Sequence, residues 1–125
     1  MKITLFSFGF KYGYPEANIV WDVRFLPNPY WEKHLREHTG QEEQVAAYAL
    51  NNAVGQEFLQ HLSVLMTLTF REHKTRRREE LRCAIGCTGG CHRSVAVIEY
   101  LRNILSDCLE SSDQLIVYHQ DIDKR

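Results

Sequence analysis

Residues 86–94 concentrate the chemical groups that bind phosphate in proteins. Glycines let backbone amides approach an anion closely, the hydroxyls of Thr88 and Ser94 can donate hydrogen bonds, and an arginine can bind two oxygens at once. His92 adds a donor whose charge depends on pH. The residues predicted to surround the anion are Cys87, Thr88, Gly89, Gly90, His92, Arg93 and Ser94.

The same segment also has the spacing of a cysteine-dependent phosphatase. Cys87 and Arg93 form a Cys-x5-Arg pattern that is followed by Ser94. Helix dipoles and an arginine lower the pKa of a thiol and produce a thiolate nucleophile. Such an enzyme needs an acid that protonates the leaving oxygen, and Asp22 is the candidate. A hydrolase is therefore the alternative to a binding module without catalysis, which is the favoured interpretation.

The cysteines at 83, 87 and 91, with His92 beside the last, raise the question of a metal or redox site. A strand followed by a loop would separate these side chains, and no second Cys or His cluster completes a tetrahedral zinc site. We therefore predict no metal and no cofactor. The Walker pattern of nucleotide hydrolases is absent, and a Cys87–Cys91 disulfide under oxidative stress stays open.

The composition of the chain limits the class of protein to which this loop can belong. The chain has 125 residues, 44% hydrophobic and 25% charged, which predicts a single globular domain over 1–125. Its formal charge of −1 gives no global attraction to nucleic acid or anionic lipid. The sequence has neither a signal peptide nor a membrane-spanning run, so we expect a cytoplasmic protein with reduced thiols and no membrane partner.

Hydrophobic patterning predicts an α/β fold with a mainly parallel or mixed sheet covered by helices. Strands are predicted over 3–8, 18–23, 81–86 and 115–119, and helices over 41–50, 54–71 and 95–108. The predicted anion-binding loop then joins a strand to a helix, where unpaired N-terminal amides and the helix dipole favour an anion. The charged run at 71–80 is read as a solvated helix end and loop in preference to a nucleic-acid contact.

Three blocks give the chain a resemblance to a known family: FSFGFKYG at 6–13, DVRFLPNPYW at 22–31 and AIGCTGGCHRS at 84–94. They resemble the C-terminal domain of the RapZ family, also called RNase adapter or YvcJ-like proteins. The resemblance implies an α/β domain that binds a phosphorylated small molecule, with an amino-sugar phosphate as the ligand class. It also implies RNA binding, a ribonuclease partner and self-association as a dimer. The Walker-type domain of full-length members is absent here, so their ATP and GTP binding is not transferred.

The resemblance also assigns residues outside the loop. Asp22, Arg24 and Asn28 of the second block would line the mouth of the ligand site, and Lys11 would reach phosphate or RNA. The chain departs from the family in having Cys91 where lysine is frequent. It also has tyrosine at 12 and 30, where RNA-binding members have histidine, and its tail at 120–125 is mixed in charge.

Three functions follow as hypotheses. The first is a sensor or adapter module that captures a phosphorylated metabolite and thereby influences an RNA or protein partner. The second is the cysteine-dependent hydrolase. The third is an RNA-binding module that uses Lys11, Arg24 and the basic run at 71–82.

Overall fold

A parallel four-stranded sheet forms the centre of the protein in a computed structural model that describes residues 1–124. The strands are β1 (Lys2–Gly9), β2 (Ile19–Asp22), β3 (Glu80–Cys87) and β4 (Gln114–His119). They are arranged in the order β2-β3-β1-β4, and all three pairings are parallel. The predicted α/β class is confirmed, and the sheet is parallel throughout the described residues. Arg125, the last residue of the predicted mixed-charge tail, lies outside them.

The helices are α1 (Glu43–Leu50), α2 (Ala53–Thr75) and α3 (Arg93–Ser106), and short 3-10 turns occupy Phe10–Tyr12 and Pro29–Trp31. The side chain of Asn52 caps α2 by accepting a hydrogen bond from the amide of Gly55 at 2.8 Å. All predicted helices are confirmed. However, α2 extends to Thr75, so the charged run begins inside a helix, and α3 begins at Arg93 rather than at residue 95.

The main core lies between the helices and one face of the sheet. Alternation along the strands puts Ile3 and Leu5 of β1 on this face, with Cys83 and Ile85 of β3 beside them. Cys83 and Ile85 therefore share one face of β3. The buried helical residues that pack against these strands are Leu59, Leu62, Met66, Phe70, Ala96, Val97, Ile98, Leu101 and Leu105.

The opposite face carries a smaller cluster around Phe6, Phe8 and Ala84. Tyr118 of β4 stacks on Phe6 with a centroid separation of 4.9 Å, and the guanidinium of Arg82 lies 5.0 Å from the same ring. Aromatic and cationic side chains thus shield this face where no helix does. Within residues 1–124, no helix combines the length and apolar character needed to cross a membrane.

Candidate functional site

A cavity of about 470 Å³ opens where the carboxyl ends of β1 and β3 meet the first turn of α3. Ligands of open parallel sheets bind at this edge, since the loops that follow the strands converge there. The segment 86–94 forms one side of the cavity, and the Asn28 region forms another. The lining residues are Lys11, Asn28, Tyr30, Trp31, Arg36, Glu37, Cys87, Thr88, Gly89, Cys91, His92, Arg93 and Lys124.

Gly90 shapes the loop through its backbone and does not line the cavity. Its φ of +73° lies in the left-handed region that disfavours side chains. A Cβ at this position would lie 2.7 Å from the amide nitrogen of Gly9, so the loop and β1 can approach this closely only with glycine. The Gly9 amide in turn donates to the buried carboxylate of Asp121 at 2.8 Å.

The loop carbonyls are engaged by neighbouring segments. Thr88 accepts a hydrogen bond from the amide of Lys11 at 3.2 Å, and Cys91 accepts one from the amide of Gly40 at 2.9 Å. By contrast, the amides of Thr88, Gly89 and Gly90 donate to no other residue within 1–124. The segment thus keeps a set of N–H donors available beside the cavity.

The first turn of α3 adds further donors. Its first amides have no partner inside the helix, and their dipoles give this end a partial positive charge. The N-cap residue, His92, makes no side-chain capping bond, because its Nε2 contacts the carbonyl oxygen of Arg36 at 3.1 Å. The helix start is therefore held in place while its amides stay available to an anion.

Arg93 is 5% exposed and has only part of its guanidinium engaged. Its Nη1 donates to the carbonyl oxygens of Arg24 at 2.7 Å and Leu26 at 3.3 Å. Its Nη2 reaches Thr88 Oγ1 at 3.5 Å, and the buried Nε has no hydrogen-bond partner among the described residues. Nε and Nη2 share one edge of the planar group, which is the edge that binds two oxygens of an anion. A buried donor without a partner is costly, so this edge favours an anionic ligand.

Cys87 ends β3 at the base of the cavity. Its Sγ lies 3.1 Å from the hydroxyl of Ser94, which is fully buried behind the thiol and does not line the cavity. Cys87 at the end of β3, Arg93 at the start of α3 and the following Ser94 therefore come together as one group. This arrangement can hold an anion, and it can also place a thiol next to one.

Asp22 and Arg24 form an ion pair with each other and do not line the cavity, although both were predicted site residues. Arg24 Nη2 donates to Asp22 Oδ2 at 2.7 Å, and the guanidinium also lies 4.2 Å from the ring of Phe10. The hydrogen bond from Arg24 holds the pKa of Asp22 below its ordinary value, so this carboxylate is ionised at neutral pH. Asn28 does line the cavity, and its side chain also caps the Pro29–Trp31 turn.

The comparisons with known proteins agree with the three blocks. A family model described as the RapZ C-terminal domain matches residues 1–123. This chain belongs to the RapZ C-terminal domain family. A protein of Nocardia farcinica named "Nucleotide-binding protein" is 43% identical over 98% of this chain and 40% of its own length. A protein of Bacillus thuringiensis with the same name is 42% identical over 99% of this chain and 41% of its own length. The chain thus spans about two fifths of these relatives.

Several residues that line the cavity of this RapZ C-terminal domain carried no assigned ligand role at the level of sequence: Tyr30, Trp31, Arg36, Glu37 and Lys124. Tyr30 and Trp31 lie inside the second block, which was a usable signal. No sequence signal marked Lys124, because only the folded structure brings this residue to the cavity. Buried Asp121 pairs with Lys124 at 2.5 Å and so places the tail beside the loop.

The charges around the cavity favour an anion. Among the lining residues within 1–124, Lys11, Arg36, Arg93 and Lys124 are cationic, and Glu37 is the carboxylate. The whole chain has a formal charge of −1, so this excess of positive charge is a local feature.

The cysteines of the predicted 83-87-91 series are separated by the fold. Cys83 is buried in the main core, where burial raises the pKa of its thiol to about 12. Cys91 lies at the cavity, with its Sγ 3.9 Å from the carbonyl oxygen of His38. In the described part of the chain, no three His, Cys, Asp or Glu side chains converge as metal ligands would.

Proposed function

We propose that this chain is a binding module that captures the phosphate group of a small phosphorylated metabolite. The observation that carries the proposal is the buried Nε of Arg93, which has no partner among the described residues and shares an edge with Nη2. The amides of Thr88 and Gly89 donate to no other described residue, and both residues line the same cavity. A phosphate monoester offers the number of acceptor oxygens that this set of donors requires.

The ligand class within this proposal is a phosphosugar, with an amino-sugar phosphate as the first candidate. The cavity of about 470 Å³ has the size of small-molecule sites and is much larger than a phosphate group. The excess of cationic side chains supports an ester with two negative charges. Family membership supports a regulatory role, in which occupancy of the cavity changes how the chain contacts a partner.

Calorimetric titration tests the phosphate site. The wild-type chain should bind an amino-hexose 6-phosphate and show no heat with the unphosphorylated amino sugar. Arg93→Lys keeps a positive charge but cannot bind two oxygens with one planar edge, so we expect affinity for the phosphosugar to fall about tenfold or more. Arg71→Gln, which changes an exposed arginine on α2, is the matched control. Equal affinity for the phosphorylated and unphosphorylated sugar would contradict the proposal.

The proposed partner is an RNA or a ribonuclease, and the proposed RNA contacts are Lys11 and Arg24. The basic run at 71–82 is a weaker candidate, because Arg71 and Arg76 both form ion pairs with Glu72. Lys11 has no carboxylate partner within residues 1–124, and its Nζ lies 5.2 Å from the ring of Tyr12. Filter binding over a salt series should show RNA affinity that falls steeply with salt and weakens in Lys11→Gln. No RNA retention at low salt would remove this part of the proposal, and self-association stays a separate prediction.

A hydrolase is the second candidate function, and the 3.1 Å contact between Cys87 Sγ and Ser94 Oγ favours it. In that reaction the Cys87 thiolate attacks phosphorus, the ester P–O bond breaks, and the leaving oxygen takes a proton from a water molecule. Water then hydrolyses the phosphocysteine and releases phosphate. The ion pair with Arg24 weighs against Asp22 as the acid, because the carboxylate is already ionised at neutral pH.

An aryl phosphate assay separates the two candidates. A hydrolase should lose activity in Cys87→Ser and keep it in Cys91→Ser, since both thiols line the cavity but only Cys87 ends β3. Equal rates in the wild type and both variants would remove the hydrolase.

A further inference from the structure

The Pro29–Trp31 turn holds two aromatic rings at the rim of the cavity. Trp31 is 73% exposed and Tyr30 is 47% exposed, and both line the cavity together with the loop. Their centroids lie 5.5 Å apart with an interplanar angle of 83°, so the two rings support each other edge to face. Exposed aromatic surface next to a polar site is a common mark of ligand contact.

The turn is rigid before any ligand arrives. The side-chain oxygen of Asn28 accepts from the amide of Tyr30 at 3.1 Å, and the Asn28 carbonyl accepts from the amide of Trp31 at 3.1 Å. Arg36 Nε donates to the Tyr30 carbonyl at 2.8 Å, and its guanidinium lies 4.6 Å from the Tyr30 ring centroid. Because these bonds hold the backbone of the turn, Trp31 is presented to the cavity by a segment that does not need to reorder when a ligand packs against the indole.

The cavity has room for more than the phosphate group. A phosphate bound by the loop and Arg93 leaves the rest of the space to the group esterified to it, next to the Trp31 side chain. The indole of Trp31 makes no hydrogen bond to another residue within 1–124. Sugar rings and nucleobases both present a flat face that packs on an indole, whereas inorganic phosphate and short acyclic esters do not.

We infer that Trp31 is a specificity-determining residue, which makes the cavity select phosphate monoesters that carry a ring over inorganic phosphate and acyclic esters. This inference rests on the proposed phosphosugar site and adds the residue that recognises the ring attached to the phosphate. A sugar is the ring that the proposed function names, and the experiment distinguishes it from a nucleobase.

The test titrates wild type, Trp31→Ala and Trp31→Tyr with inorganic phosphate, glycerol 3-phosphate, glucose 6-phosphate and adenosine 5′-monophosphate. Trp31→Ala should lower the affinity for at least one ring-bearing ester about tenfold, as loss of a stacking contact does. The affinities for inorganic phosphate and glycerol 3-phosphate should change less than about twofold. Trp31→Tyr should restore most of the affinity. The ring-bearing ester whose affinity falls more identifies the ring that Trp31 contacts. Because Trp31 is mostly exposed, these variants should fold.

Fluorescence gives an independent readout. The chain has two tryptophans, and Trp21 packs against Phe58 at a centroid distance of 6.2 Å in the core. In Trp21→Phe, all indole emission comes from Trp31 and should change with a ring-bearing ester but not with inorganic phosphate. Equal effects of Trp31→Ala on all four ligands would overturn the inference and leave the phosphate site intact. No binding of any phosphate by the wild type would instead overturn the proposed function itself.

Discussion

Three glycine-to-alanine substitutions separate the structural glycines of the site from those beside the ligand. Gly90 has a φ of +73°, and an added Cβ would meet backbone atoms at 2.7 and 2.9 Å. Gly13 has a φ of +117°, but nothing lies within 4 Å of its Cβ position. Gly89 has no positive φ, and its nearest neighbour is the Lys11 side chain at 4.0 Å. Each substitution therefore isolates a different physical cost.

The expected losses of stability follow from these costs. A left-handed residue with a Cβ costs about 1–2 kcal/mol, and overpacking against backbone adds about 1–3 kcal/mol. Gly90→Ala should therefore lose about 3 kcal/mol, which corresponds to a Tm decrease of about 12 °C for a domain of this size. Gly13→Ala carries only the backbone cost and should lose about 1–2 kcal/mol. Gly89→Ala should melt within about 2 °C of the wild type.

Calorimetry measures the three melting temperatures, and titration with a phosphosugar measures binding. Gly89→Ala should keep its stability but bind the ligand more weakly, because its methyl group enters the cavity lining beside the loop amides. Gly13→Ala should bind normally once folded, since Gly13 does not line the cavity. A Gly90→Ala protein as stable as Gly89→Ala would refute the reasoning about the loop.

Two further predictions concern the rest of the chain. Hydrogen bonding by Lys74 holds the pKa of Asp113 well below its ordinary value of 3.8, so its stabilisation is present above that value and is lost as the pH falls. Asp113→Asn should therefore lower the Tm at pH 7, and calorimetry should show the difference shrinking below about pH 4; a constant difference would contradict this. Thiol labelling followed by peptide mass spectrometry should modify half-buried Cys108 well before Cys83, whose thiol is buried and has a pKa of about 12.

Much of the fold could be predicted because its signals are local. Short β-rich runs alternate with amphipathic segments, and this alternation predicted the order of strands and helices that the structure has. Two of the helix ends that differ from the prediction have identifiable reasons. The charged residues after 71 carry no apolar stripe, yet ion pairs between Glu72 and the neighbouring Arg71 and Arg76 accompany the last turn of α2. The helix α3 begins at Arg93, whose buried side chain is fixed by the carbonyls of Arg24 and Leu26.

The parts of the site that could not be predicted depend on contacts between distant segments. The guanidinium of Arg93 donates to the carbonyl oxygen of Arg24, 69 positions away. This contact decides which edge of the guanidinium remains for a ligand. Asp22 was expected at the mouth because the resemblance to the family assigns it there, and β2 does align it with Gly86 at the start of the loop. Its side chain nevertheless turns to Arg24, two residues along the chain. No pattern in the sequence distinguishes these outcomes.

The segment after β4 supports the cavity although it is far from the loop in sequence. A protease that cut after His119 would remove Asp121, the acceptor for the Gly9 amide, together with Lys124, a cation of the cavity wall. The Gly9 amide would then have no acceptor. It lies next to Gly90, where the backbones of β1 and the loop approach most closely. Loss of a few terminal residues would therefore weaken the proposed phosphate site while every residue of the third block stayed intact.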